Sequence, residues 1–141
     1  MFIRIDATIS VAGQLDAADM AEAAAQGFRL VINNRPDGEA PDQPPGAAIA
    51  RAAEAAGLSY IAIPVAGGVA MPQVEAMVTA LAGAGGPVLA FCRSGTRSTH
   101  LWAMAAAARG GDPDIIVGAA AAAGYDIAGL TPVLQQLAGR P

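Results

Sequence analysis

The sequence predicts a single α/β domain in which a parallel sheet carries helices on both faces. Three observations support this. Strand–loop–helix units recur three times, with strands at 28–34, 58–65 and 87–91. Those strands (FRLVINN, LSYIAIPV and PVLAF) are mostly apolar runs, which suit a sheet covered on both sides. The chain of 141 residues fits one domain and can bury a core without disulfides or metals. Right-handed crossovers then bring the three post-strand loops to one edge of the sheet, where open α/β sheets bind ligands. RPDGE, AGG and CRSGTR are expected to face a common cleft there.

The elements follow in order. Phe2–Ile5 and Thr8–Val11 are short β-type runs and form an opening strand or hairpin. Asp16 stands before ADMAEAAAQ and Gly27 after it, so a capped helix spans about 17–26. After the 28–34 strand, RPDGEAPDQPPG is a turn-rich loop with four prolines and three acids. A helix over 47–56 closes at Gly57. The 58–65 strand leads through Ala66-Gly67-Gly68 to a helix opened by Met71-Pro72, with Val74, Met77, Val78 and Leu81 on one face. AGAGG ends it. The 87–91 strand meets the cysteine loop, and a helix over 98–109 follows. Asp112-Pro113 caps the next helix, and Thr131-Pro132 caps the last, whose apolar stripe is Leu130, Val133, Leu134 and Leu137.

Composition narrows the function. Hydrophobic residues make up 54% of the chain, much of it alanine, and aromatics only 4%, so the core depends on the Val/Ile/Leu runs. All eight basic residues are arginine, yet the net charge is -4 and no basic stripe appears. This excludes nucleic acid as the expected partner. A single cysteine cannot form an internal disulfide and fits a reducing compartment. Asp6 interrupts what a signal peptide would need to be apolar, and every apolar stretch ends short of a membrane span. A cytoplasmic protein is expected, without membrane contact, cofactor or metal; no His/Cys/Asp cluster has ligand spacing.

The chemistry concentrates in AFCRSGTRS. Cys92 follows a strand and precedes a helix. The Gly95 turn can aim several N–H groups inward as an anion-binding nest, and the helix N-terminus adds partial positive charge. Such surroundings lower a cysteine pKa from ~8.5 to roughly 3.5–7.5 and expose the reactive thiolate. A lone cysteine at a strand end is commonly an inert small hydrophobe. The glycine and two arginines directly after this one favour a nucleophile.

CRSGTRS resembles the rhodanese-type sulfurtransferase loop C-R-x-G-x-R-S/T, and also the tyrosine and dual-specificity phosphatase signature H-C-x-x-G-x-x-R-S/T. Together with SVAGQL, GFRLVINNRPDGE, AAGLSYIAIPV and FCRSGTRSTHLWA it resembles one bacterial family over roughly residues 8–130. That family is described as the phosphatase-like domain of beta-lactamase-hydrolase-like proteins, or as sulfur transferases. The resemblance implies a cysteine-phosphatase-like, dual-specificity-phosphatase-like fold with the cysteine loop as catalytic site.

Two departures from the phosphatase pattern stand out. Arg97 comes five residues after Cys92, and Ser98 occupies the phosphatase arginine position. By the resemblance, the shorter loop goes with sulfur transfer. The acid-bearing loop of phosphatases corresponds to PVAGGVAMP, which has no carboxylate, and Phe91 replaces the preceding histidine. Asp37 or Glu39 could supply the acid if RPDGE folds inward. The leading expectation is therefore a sulfurtransferase. Cys92 takes sulfane sulfur from a small anionic donor, thiosulfate or a persulfide, and passes it to an external thiol or cyanide acceptor. The alternative is a cysteine-dependent phosphatase acting through a Cys92 phosphoenzyme. A third reading is a non-catalytic anion- or persulfide-binding module, a partner of a sulfide-oxidising enzyme.

The supporting residues are assigned as follows. Arg97 is expected to clamp an oxyanion and also to brace the loop. Arg93 points outward to recruit anionic substrate or bond a neighbouring acid. Ser94, Gly95 and Thr96 contribute backbone N–H groups. Ser98 either caps the helix or donates to the thiolate. Arg35 and Asp37 lie at the cleft edge, where a simple turn is the favoured role, and Asn33 and Asn34 order that loop. His100 is a helix-face histidine and Trp102 a core residue.

Overall fold

The computed structural model describes residues 1–139. β1 (Ile3–Arg4) and β2 (Ile9–Ala12) pair antiparallel as the expected hairpin. Asp6 makes its turn, because Oδ1 accepts from the Thr8 and Ile9 N–H groups and the Thr8 hydroxyl. Asp16 and Asp19 accept from each other's backbone N–H at the start of α1 (Ala17–Ala25). The remaining elements are β3 (Leu30–Asn33), α2 (Gly46–Ala55), β4 (Ser59–Ala62), α3 (Met71–Ala82), β5 (Val88–Phe91), α4 (Thr96–Ala108), α5 (Pro113–Ala122) and α6 (Thr131–Leu137). A 3₁₀ turn, Ala128–Leu130, runs straight into α6; Thr131 is therefore the first helical residue, and its hydroxyl donates to the Ala128 carbonyl.

The sheet order is β1-β2-β5-β3-β4, and every neighbouring pair from β2 onward is parallel. The chain moves outward from β2 to β3 and β4, then returns to the central β5. With right-handed crossovers this reversal places α3 on the opposite face from α1 and α2. Alternation along the strands divides the core accordingly. Ile9, Val11, Leu30, Ile32, Val88 and Ala90 face the α3–α6 side. Val31, Leu89 and Phe91 face α1 and α2 with Met20, Ile49 and Ala53. Phe91 is fully enclosed there, which explains an apolar residue where the phosphatase pattern carries histidine.

One expectation fails at the edge. The 58–65 run reads as a strand buried on both faces, but β4 is mostly exposed, with Ile61 at 37%. Only four residues pair, and beside them α3 leaves a groove of about 610 Å³ lined by Ile61, Thr79 and their neighbours. Ile63 and Val65 are buried, but they bond onward to the Asn33 and Asn34 carbonyls as a loop. Because β2, β3, β4 and β5 run parallel, the segments after them share one sheet edge, as expected. No helix among the described residues is long and apolar enough to cross a membrane.

Candidate active site

The cysteine loop is held by its carbonyls. The Arg93 carbonyl accepts from the Gln14 N–H at 3.2 Å. The Ser94 carbonyl accepts from the Tyr125 hydroxyl at 3.0 Å. The Gly95 carbonyl accepts from the Thr99 N–H at 2.9 Å and the Thr99 hydroxyl at 2.8 Å. A peptide plane whose C=O points one way points its N–H the other. Three successive planes are thus turned with N–H groups toward the inside of the loop, an anion-binding concavity. The Gly95 N–H lies 3.1 Å from Cys92 Sγ. Gly95 has φ +89°, a left-handed conformation that L side chains rarely adopt, and it turns the chain directly into α4. The helix therefore starts at Thr96, two residues before the expected 98, and Arg97 belongs to its first turn.

Cys92 is 1% exposed. Burial pushes its thiol up. The N–H groups of Ser98, Ser94 and Gly95 and the Ser98 hydroxyl pull it down and prevail, so the thiol lies below its ordinary value. Ser98 does not cap the helix, because Gly95 holds that position. Its buried hydroxyl donates to Asn34 Oδ1 at 2.8 Å and is also within reach of Cys92. With one proton it serves one acceptor at a time. Asn34 is fixed in turn by donating to the Ile63 carbonyl.

Arg97 is gripped from one side. Nη1 donates to Glu39 Oε2 and to the Val65 carbonyl, each at 2.8 Å, and Nη2 donates to Glu39 Oε1 at 2.8 Å. A guanidinium has five N–H groups. These contacts use three; Nε–H and the second Nη2–H remain on one edge, a fork suited to two oxygens of an anion, and the guanidinium also reaches the Cys92 sulfur. The expected double role of Arg97, brace and oxyanion clamp, is thus geometrically available. Glu39 also accepts from Arg35 Nε at 3.0 Å. Hydrogen bonds from Arg97 first and Arg35 second lower its pKa from 4.5 to about 2. Glu39 is therefore ionised at neutral pH and has no proton to give.

The other expected residues separate. Arg35 is buried and reaches the site only through Glu39 and Gln14 Oε1. Its guanidinium braces the loop rather than facing the cleft. Asp37, expected at the cleft edge, accepts from the Gly46 N–H at the start of α2 and stays with that helix. Arg93 is exposed, as expected, with no ion pair among the described residues. Ser94 and Thr96 hydroxyls bond each other at 3.1 Å. His100 is half-buried on α4, and burial lowers its pKa. No group of three His, Cys, Asp or Glu side chains suited to a metal occurs among the described residues. Sequence reading missed Gln14, Thr99 and Tyr125. Gln14 and Tyr125 lie far from the loop in sequence, and no local pattern connects them to it.

A central parallel strand, a cysteine held at its end in a nest of N–H groups, and an arginine on the following helix define a cysteine-phosphatase-like α/β domain. Within that class the chain belongs to the family described as the beta-lactamase hydrolase-like protein, phosphatase-like domain, whose model matches residues 2–109. A beta-lactamase hydrolase-like protein of Agrobacterium fabrum is 41% identical over 109 residues, 77% of this chain and 25% of that protein. Its counterpart in Xylella fastidiosa is 38% identical over 103 residues, 72% of this chain and 24% of that protein. The chain spans about a quarter of the length of these curated relatives. A candidate phosphatase of Neisseria meningitidis superposes with TM-score 0.82 at 34% identity over 96% of both chains. One from Shewanella putrefaciens gives 0.75 at 20% identity, covering 98% of this chain and 91% of the other, a likeness of fold. The family description and the name of the Neisseria relative both carry the word phosphatase.

Proposed function

We propose that this domain is a cysteine-dependent phosphatase for monoesters whose leaving group needs no protonation, such as aryl phosphates. The observation that carries this is the pairing of inward N–H groups around a lowered-pKa Cys92 with the remaining edge of Arg97, which reaches that sulfur. Cys92 Sγ attacks phosphorus, the P–O ester bond breaks, and the phenolate leaves with the electron pair. Inward N–H groups and Arg97 hold the transferring oxygens. Water then attacks the phosphocysteine, the P–S bond breaks, and inorganic phosphate departs as the water proton passes to the medium. The substrate restriction follows from Glu39, the carboxylate that bonds the site's arginines, which is ionised and fully engaged.

The same observation favours one second reading, sulfur transfer. There Cys92 attacks the sulfane sulfur of thiosulfate, the S–S bond breaks and sulfite leaves without needing a proton. The resulting persulfide passes its sulfur to cyanide or an external thiol, since this chain has no second cysteine. Intact-mass and turnover measurements on wild type and Cys92→Ser separate the two. Aryl-phosphate hydrolysis lost in the variant, without a sulfur adduct, is the expected result. A thiosulfate-derived adduct on Cys92 with cyanide-dependent turnover, and no phosphate release, overturns it in favour of sulfur transfer. Neither activity leaves an anion-binding module.

A further inference from the structure

The Ser94–Gly95 peptide is a single rigid unit with a partner at each end. Its carbonyl accepts from the Tyr125 hydroxyl at 3.0 Å, and its N–H donates to Cys92 Sγ at 3.1 Å. The two flanking carbonyls are held differently. Backbone N–H groups of Gln14 and Thr99 bond them, the latter helped by its own hydroxyl. The middle carbonyl depends on one side chain, delivered from the segment between α5 and α6, beyond the residues that the family model matches. Glycine at 95 makes this plane the easiest of the three to rotate. It also makes room, because a β-carbon there would overlap the Tyr125 hydroxyl.

We propose that Tyr125 is a positioning residue that fixes the Ser94–Gly95 peptide with its N–H on Cys92 and so sets the reactivity of the thiolate. The phenol donates into the carbonyl, and a peptide polarised in that sense is a better donor at its N–H. Tyr125 itself feels the site: burial and then the charge of Cys92 raise its pKa, which keeps the phenol protonated and donating. The charged groups around the loop are the Cys92 thiolate, Arg93, Arg97, Arg35 and Glu39, and the Tyr125 hydroxyl bonds the Ser94 carbonyl rather than any of their side chains. The proposal rests on reading Cys92 as a thiolate nucleophile. It does not depend on whether the thiolate meets phosphorus or sulfur.

The test titrates the thiolate directly, by ultraviolet absorbance and by the pH dependence of alkylation with iodoacetamide, so it needs no substrate. Tyr125→Phe removes one hydroxyl and keeps the ring. It should raise the apparent Cys92 pKa by about half a unit and slow alkylation below that pKa about threefold, as expected for weakening one hydrogen bond to a charged acceptor. Replacing tyrosine with 3-fluorotyrosine strengthens the phenol as a donor. In a Tyr60→Phe background, which removes the only other tyrosine, this should shift the titration the opposite way. Opposite shifts support the proposal. An unchanged titration in both proteins, whether or not the melting temperature falls, overturns it and leaves Tyr125 as packing. Should Tyr125→Phe not fold, the fluorinated protein alone decides, by the presence or absence of its downward shift. Loss of phosphatase turnover with the titration shifts intact would count against the substrate assignment and not against Tyr125.

Discussion

The cysteine loop, residues 92–95, with the first turn of α4 that follows it, meets the proline-rich loop, residues 35–45, at the Arg97–Glu39 pair, but the two loops are shaped in different ways. The cysteine loop is defined by backbone: three carbonyls drawn outward, N–H groups turned inward, one left-handed glycine. The proline-rich loop is tied down largely by side chains. Gln43 donates to the Pro36 carbonyl and accepts from the Glu39 N–H, Arg35 reaches Glu39 and Gln14, and Asp37 holds Gly46. A backbone nest can receive many small anions, whereas a side-chain clamp fixes the orientation of one group. Substitutions that act on the two loops separately test this division.

The largest effect is expected where the loops join. Arg97→Lys removes the fork that can hold two anion oxygens and also the paired bond to Glu39. Turnover should fall on the order of 10²–10³-fold, as for loss of a donor to a developing oxyanion. Steady-state kinetics with an aryl phosphate reads this, and retention of near-normal turnover would show that the N–H nest suffices alone.

Glu39→Gln should cost less, about tenfold in kcat, because Arg97 stays but loses the partner that aims it. The pH dependence separates aiming from acid catalysis. The folded pKa of Glu39 is depressed, so the clamp is complete above its ordinary 4.5 and is lost as pH falls toward about 2. As a clamp, Glu39 predicts a lowered rate with an unchanged profile shape in the Gln variant. An acid would contribute a limb that the variant loses. Carbon NMR of the Glu39 carboxyl through pH 2–5 checks the titration itself.

The contrast also explains what was legible in the sequence. Cys92, Gly95 and Arg97 are close in sequence and sit between a strand and a helix, so a local pattern sufficed. The acid-free loop after β4 was equally visible, and the parallel topology followed from apolar runs. Glu39 was visible only as a possible acid. Its engagement with Arg97 spans 58 residues and depends on how a loop with four prolines folds. Exposure of β4 was hidden for a related reason. Apolar character reports that Leu58, Ile63 and Val65 are buried, but cannot say that a strand stands at the edge.

A smaller effect is expected inside the nest. Ser98→Ala removes a buried hydroxyl and leaves Asn34 Oδ1 without its donor, costing roughly 1–3 kcal/mol of stability. It also removes one of the groups that lower the Cys92 pKa, so the thiol should titrate higher and alkylation near pH 6 should slow a few-fold. Denaturant melts and alkylation rates report the two consequences separately.

The smallest effect on activity belongs to Asp37, which shares the RPDGE segment with Glu39. Helix α2 begins after Pro45, which provides no side-chain cap, and Asp37 Oδ1 accepts the Gly46 N–H at 2.8 Å in its place. Gly46 permits this approach, since a β-carbon there would stand 3.2 Å from Asp37 Oδ1 and 3.3 Å from the Tyr60 hydroxyl. Asp37→Ala should therefore cost about 1 kcal/mol of stability, the usual price of a lost helix cap, and leave turnover within twofold. A denaturation curve and an aryl-phosphate assay on the same preparation decide the point. If turnover falls tenfold while stability holds, Asp37 acts at the cleft and the division of labour between it and Glu39 is wrong. If stability falls and turnover holds, two carboxylates two residues apart do unrelated work: one anchors a helix and the other aims the arginine.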